Sequence, residues 1–150
     1  TNMSNMFYDN LVFNQPLNNW NTANVTTMEY TFRNARAFNG NVTTWNTAKV
    51  IDMDRMFYDA VAFNQNLSAW NTSNVTAMYG MFYNGTVFNG TVSTWNTAKV
   101  TDMRYMFTSA KAFNQNLSGW CVSLIPSLPT GFDSSATAWS LSRPIWGTCP

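Results

Sequence analysis

At 150 residues the chain is long enough for one ordinary domain with a sizeable core. Its eight basic and seven acidic residues nearly balance, and the basic ones are scattered from Arg33 to Arg143 with no cluster, which argues against the basic footprint nucleic acid demands. Histidine is absent, which removes Ser-His-Asp and Cys-His catalysis along with the commonest metal ligand.

No apolar run approaches the roughly 18 residues needed to span a bilayer. Neither an initiator methionine nor a signal peptide is present, so a mature or trimmed product is expected. No catalytic residue, metal site or cofactor is expected, and the chain reads as a non-enzyme.

From its first residues the chain repeats itself every 25 positions. Thr1-Asn2-Met3 is the fragment of a preceding unit. Met-Phe then recurs at Met6-Phe7, Met56-Phe57, Met81-Phe82 and Met106-Phe107, with Thr31-Phe32 in the remaining slot. Phe13, Phe38, Phe63, Phe88 and Phe113 hold one column, and Trp20, Trp45, Trp70, Trp95 and Trp120 another. A two-unit rhythm overlies this, with Gln15, Gln65 and Gln115 in odd units and Gly40 and Gly90 in even ones.

Within a unit, Met28, Phe32, Ala35 and Phe38 follow the stripe of a short amphipathic helix. Thr26 and Glu29 read as its capping box, and Asp52 and Asp102 fall in the first turn of equivalent helices. Asn39-Gly40 and Asn89-Gly90 suit a left-handed C-terminal stop. Asn41 to Trp45 reads as a short strand and Asn46-Thr47 as a turn. The expected fold is therefore α/β: a leucine-rich-repeat-like solenoid of about five coils, with one short helix and one short strand per coil and a C-terminal cap.

The run Asn-Val-Thr-x-Met-x-x-Met-Phe-x-x-Ala-x-x-Phe-Asn-x-x-Leu-Ser-x-Trp resembles the BspA-like surface-protein repeats, relatives of leucine-rich repeats, over residues 1 to about 120. The resemblance implies secreted or surface-displayed microbial proteins often linked to adhesion, with no known catalytic residues.

From residue 121 the pattern decays. Ile125 and Leu128 keep the Val and Met slots, but Pro126 and Pro129 break the expected helix. Residues 1–120 are thus read as repeats, and 121–150, with Phe132, Trp139 and Trp146, as a cap within the same domain. Both cysteines, Cys121 and Cys149, lie here. A single disulfide in an oxidising compartment is the natural reading, and two unpaired buried thiols in the cytosol the alternative.

The polar columns have structural readings first. The Asn ladders (Asn14 to Asn114 and Asn21 to Asn96) are expected to satisfy backbone groups at the corners. The Thr22, Thr47, Thr72 and Thr97 column has an ice-binding reading and a turn reading, of which the turn is preferred. Asp52, Asp54 and Asp102 read as helix caps rather than glycosidase carboxylates. Sequons are more pointed: Asn2, Asn24, Asn41, Asn66, Asn74, Asn84 and Asn116 are candidates for N-glycans, whereas Asn71 and Asn89 are expected to be buried in the ladders. Two readings of the sequons stay open, glycosylation or an Asn-rich surface made in a cell that does not glycosylate.

Met3, Met6, Phe7 and Phe13 are expected to line an exposed end suited to self-association. The functional expectation is an extracellular or cell-surface structural protein, a scaffold or fibril subunit assembling head to tail on copies of itself. The alternative is an adhesin-type module recognising a surface protein or glycan.

Overall fold

The computed structural model describes residues 1–150. Five coils, residues 1–25, 26–50, 51–75, 76–100 and 101–125, stack with their chains parallel, and residues 126–150 close the end. The coils contain neither a helix nor an extended strand, which overturns the α/β, leucine-rich-repeat-like reading.

The reason lies in where the backbone donors go. An α-helix sends each N–H to the carbonyl four residues back. Here the donors alternate. In the second coil Met28, Tyr30, Phe32 and Asn34 donate outward to Asp52, Asp54, Met56 and Tyr58 of the third, at 2.8–3.0 Å. Between them Thr31, Arg33 and Ala35 donate three residues back, to Met28, Tyr30 and Phe32. The expected helix is thus a run of tight turns, each hydrogen-bonded to the next coil. Such a run places Met28, Phe32, Ala35 and Phe38 on one side as a helix would, so the apolar stripe did not discriminate between them.

The turns require left-handed backbone twice per coil. Ten non-glycine residues have positive φ, and most fall in two registers: Asn5, Tyr30, Arg55 and Tyr105, with Gly80 in the fourth coil, and Asp9, Asn34, Asp59, Asn84 and Ser109. This conformation costs an L-residue roughly 1–2 kcal/mol. Its recurrence in every coil marks it as part of the fold, offset by pairing of buried backbone groups between coils.

The strand expected at Asn41–Trp45 is also absent. Parallel pairing occurs instead at single bridges, Asn2 to Thr27 to Asp52 to Ala77 to Asp102. Nor do Thr26 and Glu29 form a capping box. Thr27 Oγ1 accepts from the Glu29 N–H, and Asp52 and Asp102 accept from the N–H groups of Asp54 and Arg104, which are side-chain turns at the bridge positions.

Gly40 and Gly90 do not adopt left-handed backbone. A Cβ at either would overlap the carbonyl oxygen of Gln15 or Gln65 in the preceding coil. In return, Gln65 and Gln115 each donate from Nε2 to the backbone and side-chain oxygens of Asn39 and Asn89. The two-unit rhythm is therefore a steric alternation of close-approach and bridging coils.

The core is one continuous set of columns. Phe32, Phe57, Phe82 and Phe107 stack nearly parallel at 5.4–5.8 Å. Trp45, Trp70, Trp95 and Trp120 stack at 6.3–6.4 Å. Each of these indoles donates from Nε1 to a carbonyl of the previous coil, as Trp70 does to Val42 at 3.1 Å, so its one polar atom is satisfied in the core.

Residues 126–150 follow the coil path with one residue inserted. Tyr105, Phe107 and Ser109 donate to Thr130, Phe132 and Ser134. Trp139 then meets Phe113 edge-on at 4.7 Å instead of continuing the parallel stack, and Trp146 meets Phe132 edge-on at 4.9 Å. Cys121 and Cys149 are joined in a disulfide. The bridge ladder stops at Asp102, where Pro126 and Pro129 supply no N–H, and a gap of about 330 Å³ opens between Arg104 and Leu128.

Candidate functional site

The turn run has an inner side that repeats and an outer side that does not. Inward positions carry Met, Phe and Ala, apart from Asn10 and Gly85 in the alanine slots of the first and fourth coils and the buried Thr31 in one Met slot of the second. Outward positions change from coil to coil, and all six tyrosines of the chain lie there: Tyr8, Tyr58 and Tyr83 in one column, Tyr30 and Tyr105 in a second, Tyr79 in a third. Arg33, Arg55 and Arg104 fill slots among them. The tyrosines do not hold one repeat position, so column-by-column reading of the sequence passes over them. Their signal is that they occupy only three slots of the repeat, all on one face.

Coil stacking turns these slots into contacts. The Arg33 guanidinium carbon lies 5.3, 5.5 and 5.1 Å from the ring centres of Tyr8, Tyr30 and Tyr58. Tyr58 and Tyr83 stack at 4.3 Å with 2° between planes. Arg55 packs 4.1 Å from the Tyr79 ring and donates to the Tyr30 hydroxyl. Such cation–π packing holds the long side chains still, at roughly 0.5–2 kcal/mol per contact.

Between these columns lies a depression of about 270 Å³ lined by Arg33, Arg55, Tyr58, Tyr79, Tyr83 and Tyr105. Gly80 lies beside it, occupying the slot where other coils carry Tyr30, Arg55 or Tyr105. A Cβ there would sit 3.4 Å from Tyr58 and 3.5 Å from Arg55, in ordinary contact.

Carboxylates border this face and their environments differ. Burial, reinforced by the charges of Asp52 and Asp102, pushes the Asp54 carboxyl up to about 6, although the Tyr79 N–H donated to it at 2.7 Å opposes the shift. Burial and then the Asp52 charge likewise raise Glu29. Burial raises Asp102 too, but the paired hydrogen bonds of Arg104 outweigh it and hold that carboxyl below its usual range. Burial, then Tyr83, raises the Tyr58 phenol.

The residues singled out by sequence fall elsewhere. Asn14, Asn39, Asn64 and Asn89 each accept, through Oδ1, the N–H of the next asparagine in the ladder at 2.8–2.9 Å. That ladder runs along the surface, so Asn89 is exposed, as is Asn71, contrary to the expected burial. Asn21, Asn46, Asn71 and Asn96 cap their own turns two residues on. The Thr22, Thr47, Thr72 and Thr97 hydroxyls are buried and donate to the next coil, so this column presents no hydroxyl face to ice.

Among the sequons, Asn2, Asn24, Asn41, Asn66, Asn74 and Asn116 are exposed and Asn84 is half-buried. Asn74 and Asn84 commit Nδ2 to Ala48 and Asp59. Asn41, Asn66 and Asn116 use only Oδ1, to cap the N–H two residues on. At the first coil Met3 is buried, at 5% exposure, and is not part of an open surface. Met6 is 47% exposed where Met56, Met81 and Met106 are fully buried, while Phe7 and Phe13 are partly covered. Leu11, Val12 and Trp20 extend that apolar surface.

The repeat architecture has a known family. A model described as "Mycoplasma protein of unknown function, DUF285" matches residues 1–86 and again 65–140. The chain belongs to this family. No curated protein and no solved structure shows detectable similarity to it. No helix is long and apolar enough to cross a membrane.

Proposed function

We propose that the chain is a non-enzymatic binding module displayed outside the cell, of the BspA-like kind its repeat resembles, which recognises a surface partner through its tyrosine-rich face. The observation that carries this reading is the gathering of all six tyrosines on one face. Tyrosine and arginine supply large contact area with little conformational freedom to lose, and both are enriched where binding energy concentrates. The stacked core beneath holds them in fixed positions, as a recognition surface requires.

The test is binding to an immobilised panel of glycans and cell-surface proteins. A panel member retained by the native chain, lost with Tyr58→Ala/Tyr83→Ala and kept with Asn66→Ala on another face, supports the reading. No retention, or retention by the double variant, overturns it.

A second reading, a scaffold assembled head to tail, rests on Met6 and Trp20, which are exposed in the first coil while their counterparts in the central coils are buried. Any coil or second copy stacked there would cover them. Concentration-dependent sedimentation that disappears with Met6→Lys/Val12→Asp would support it, and a concentration-independent monomer would overturn it.

A further inference from the structure

Arg33 differs from the other arginines. Arg36, Arg104 and Arg143 pair with Asp59, Asp102 and Asp133, and Arg55 donates to Tyr30. Arg33 makes no ion pair and no side-chain hydrogen bond, and its Nε is enclosed without a partner. The rings of Tyr8, Tyr30 and Tyr58 hold the guanidinium in place at the edge of the Gly80 depression. A fixed, unpaired guanidinium is a receptor for a planar anion, which it binds through paired N–H donors.

The rest of the depression restricts what carries that anion. No aliphatic residue lines it, and every lining side chain carries a hydroxyl or a guanidinium, which favours a ligand rich in hydrogen-bonding groups. Tyr58, with Arg33 on one face and Tyr83 on the other, offers its edge, and the tyrosines around it offer hydroxyls. At about 270 Å³ the depression falls just below the roughly 300–1,000 Å³ of drug-sized sites and suits a single ring or two.

We propose that the depression beside Gly80 is a subsite for a carboxylate-bearing sugar of an acidic oligosaccharide, with the carboxylate on Arg33 and the ring in the space beside Gly80, against the edge of Tyr58. This names the ligand class of the binding face and so rests on the binding reading above. The missing side chain at position 80 makes the room, and the missing acceptor at position 33 sets the charge.

The neighbouring coils supply the variants that test it. Gly80→Tyr installs the residue that Tyr30 and Tyr105 carry at the same left-handed position. Arg33→Tyr installs the residue of Tyr8, Tyr58 and Tyr83. Both fill native slots with native occupants, so both are expected to fold, Arg33→Tyr melting close to the parent chain and Gly80→Tyr a few degrees lower because of its left-handed backbone. Titration calorimetry would use three probes: oligogalacturonate, the neutral galactose oligomer of equal length, and polyglutamate. The expected result is binding of oligogalacturonate at least tenfold tighter than either other probe, and at least tenfold weaker in each variant. Equal binding of polyglutamate would overturn the sugar assignment. Equal binding of the neutral oligomer would overturn the role of Arg33, and native-like binding by folded Gly80→Tyr would overturn the location. If oligogalacturonate is not bound while Tyr58→Ala/Tyr83→Ala still abolishes retention on the panel, this subsite fails and the binding face stands.

Discussion

The inner and outer sides of the same turn run obey different rules. Inward, Phe57 and Trp70 each meet an identical ring above and below, so every column residue is constrained by two copies of itself. Outward, Tyr58 meets Arg33 on one side and Tyr83 on the other, and the neighbouring slot changes from Arg55 to Gly80 to Tyr105. Identity along a column serves stacking. Variation along a column makes one place on the stack unlike the others, and recognition needs such a place.

The sharpest way to break this contrast is to truncate one residue on each side. Trp70→Ala removes a buried ring stacked on both neighbours and strands the Val42 carbonyl, so a loss of about 3–5 kcal/mol is expected in denaturant unfolding. Asn66→Ala on the exposed surface removes only the side-chain cap on the Ser68 N–H and should cost no more than about 1 kcal/mol. Equal midpoints for the two would mean that the columns do not carry the stability.

The closed end is next in size. Cys121 and Cys149 enclose a separation of 28 residues, and replacing both with serine should cost about 3 kcal/mol, read as a lower denaturation midpoint. An unchanged midpoint would show that Trp139 and Trp146 hold the final segment without the bridge.

Glycine substitutions separate close approach from open surface. Gly40→Ala pushes a methyl into the Gln15 carbonyl oxygen and should destabilise by about 1–3 kcal/mol. A Cβ at Gly119 meets nothing within 4 Å, so Gly119→Ala should be neutral or stabilising by up to about 1 kcal/mol through the unfolded chain. Thermal melts of the pair would decide it.

The smallest effect belongs to the outer face. Asp54 has its folded-state pKa raised to about 6 from an ordinary 3.8, so its ionisation disfavours the folded chain. That cost is fully present above pH 6, shrinks as pH falls and is gone below pH 3.8. Asp54→Asn keeps an oxygen for the Tyr79 N–H and removes the charge. Solvent screening at this half-exposed group limits the expected gain to about 1 kcal/mol at pH 8, vanishing by pH 4. A gain that persisted at pH 4 would show that the charge was not its source.

The 25-residue period, the apolar columns and the change of pattern near residue 121 were all legible in the chain, because a stack must repeat whatever it buries. The inward positions of Phe38, Trp45 and Val50 follow directly from that periodicity. The helix was misread because tight turns and a helix place apolar residues on the same side, and only the coil-to-coil hydrogen bonds of Met28, Tyr30, Phe32 and Asn34 distinguish them. Those bonds join residues 24 apart, beyond the reach of any local propensity. Gly40 was misread for the same reason, since the atom that forbids its side chain belongs to Gln15 in the coil before. The tyrosine face depended most on tertiary structure. Tyr8, Tyr30, Tyr58, Tyr79, Tyr83 and Tyr105 are scattered along the chain, and they become neighbours only when the coils stack and bring each slot within about 5 Å of its counterpart.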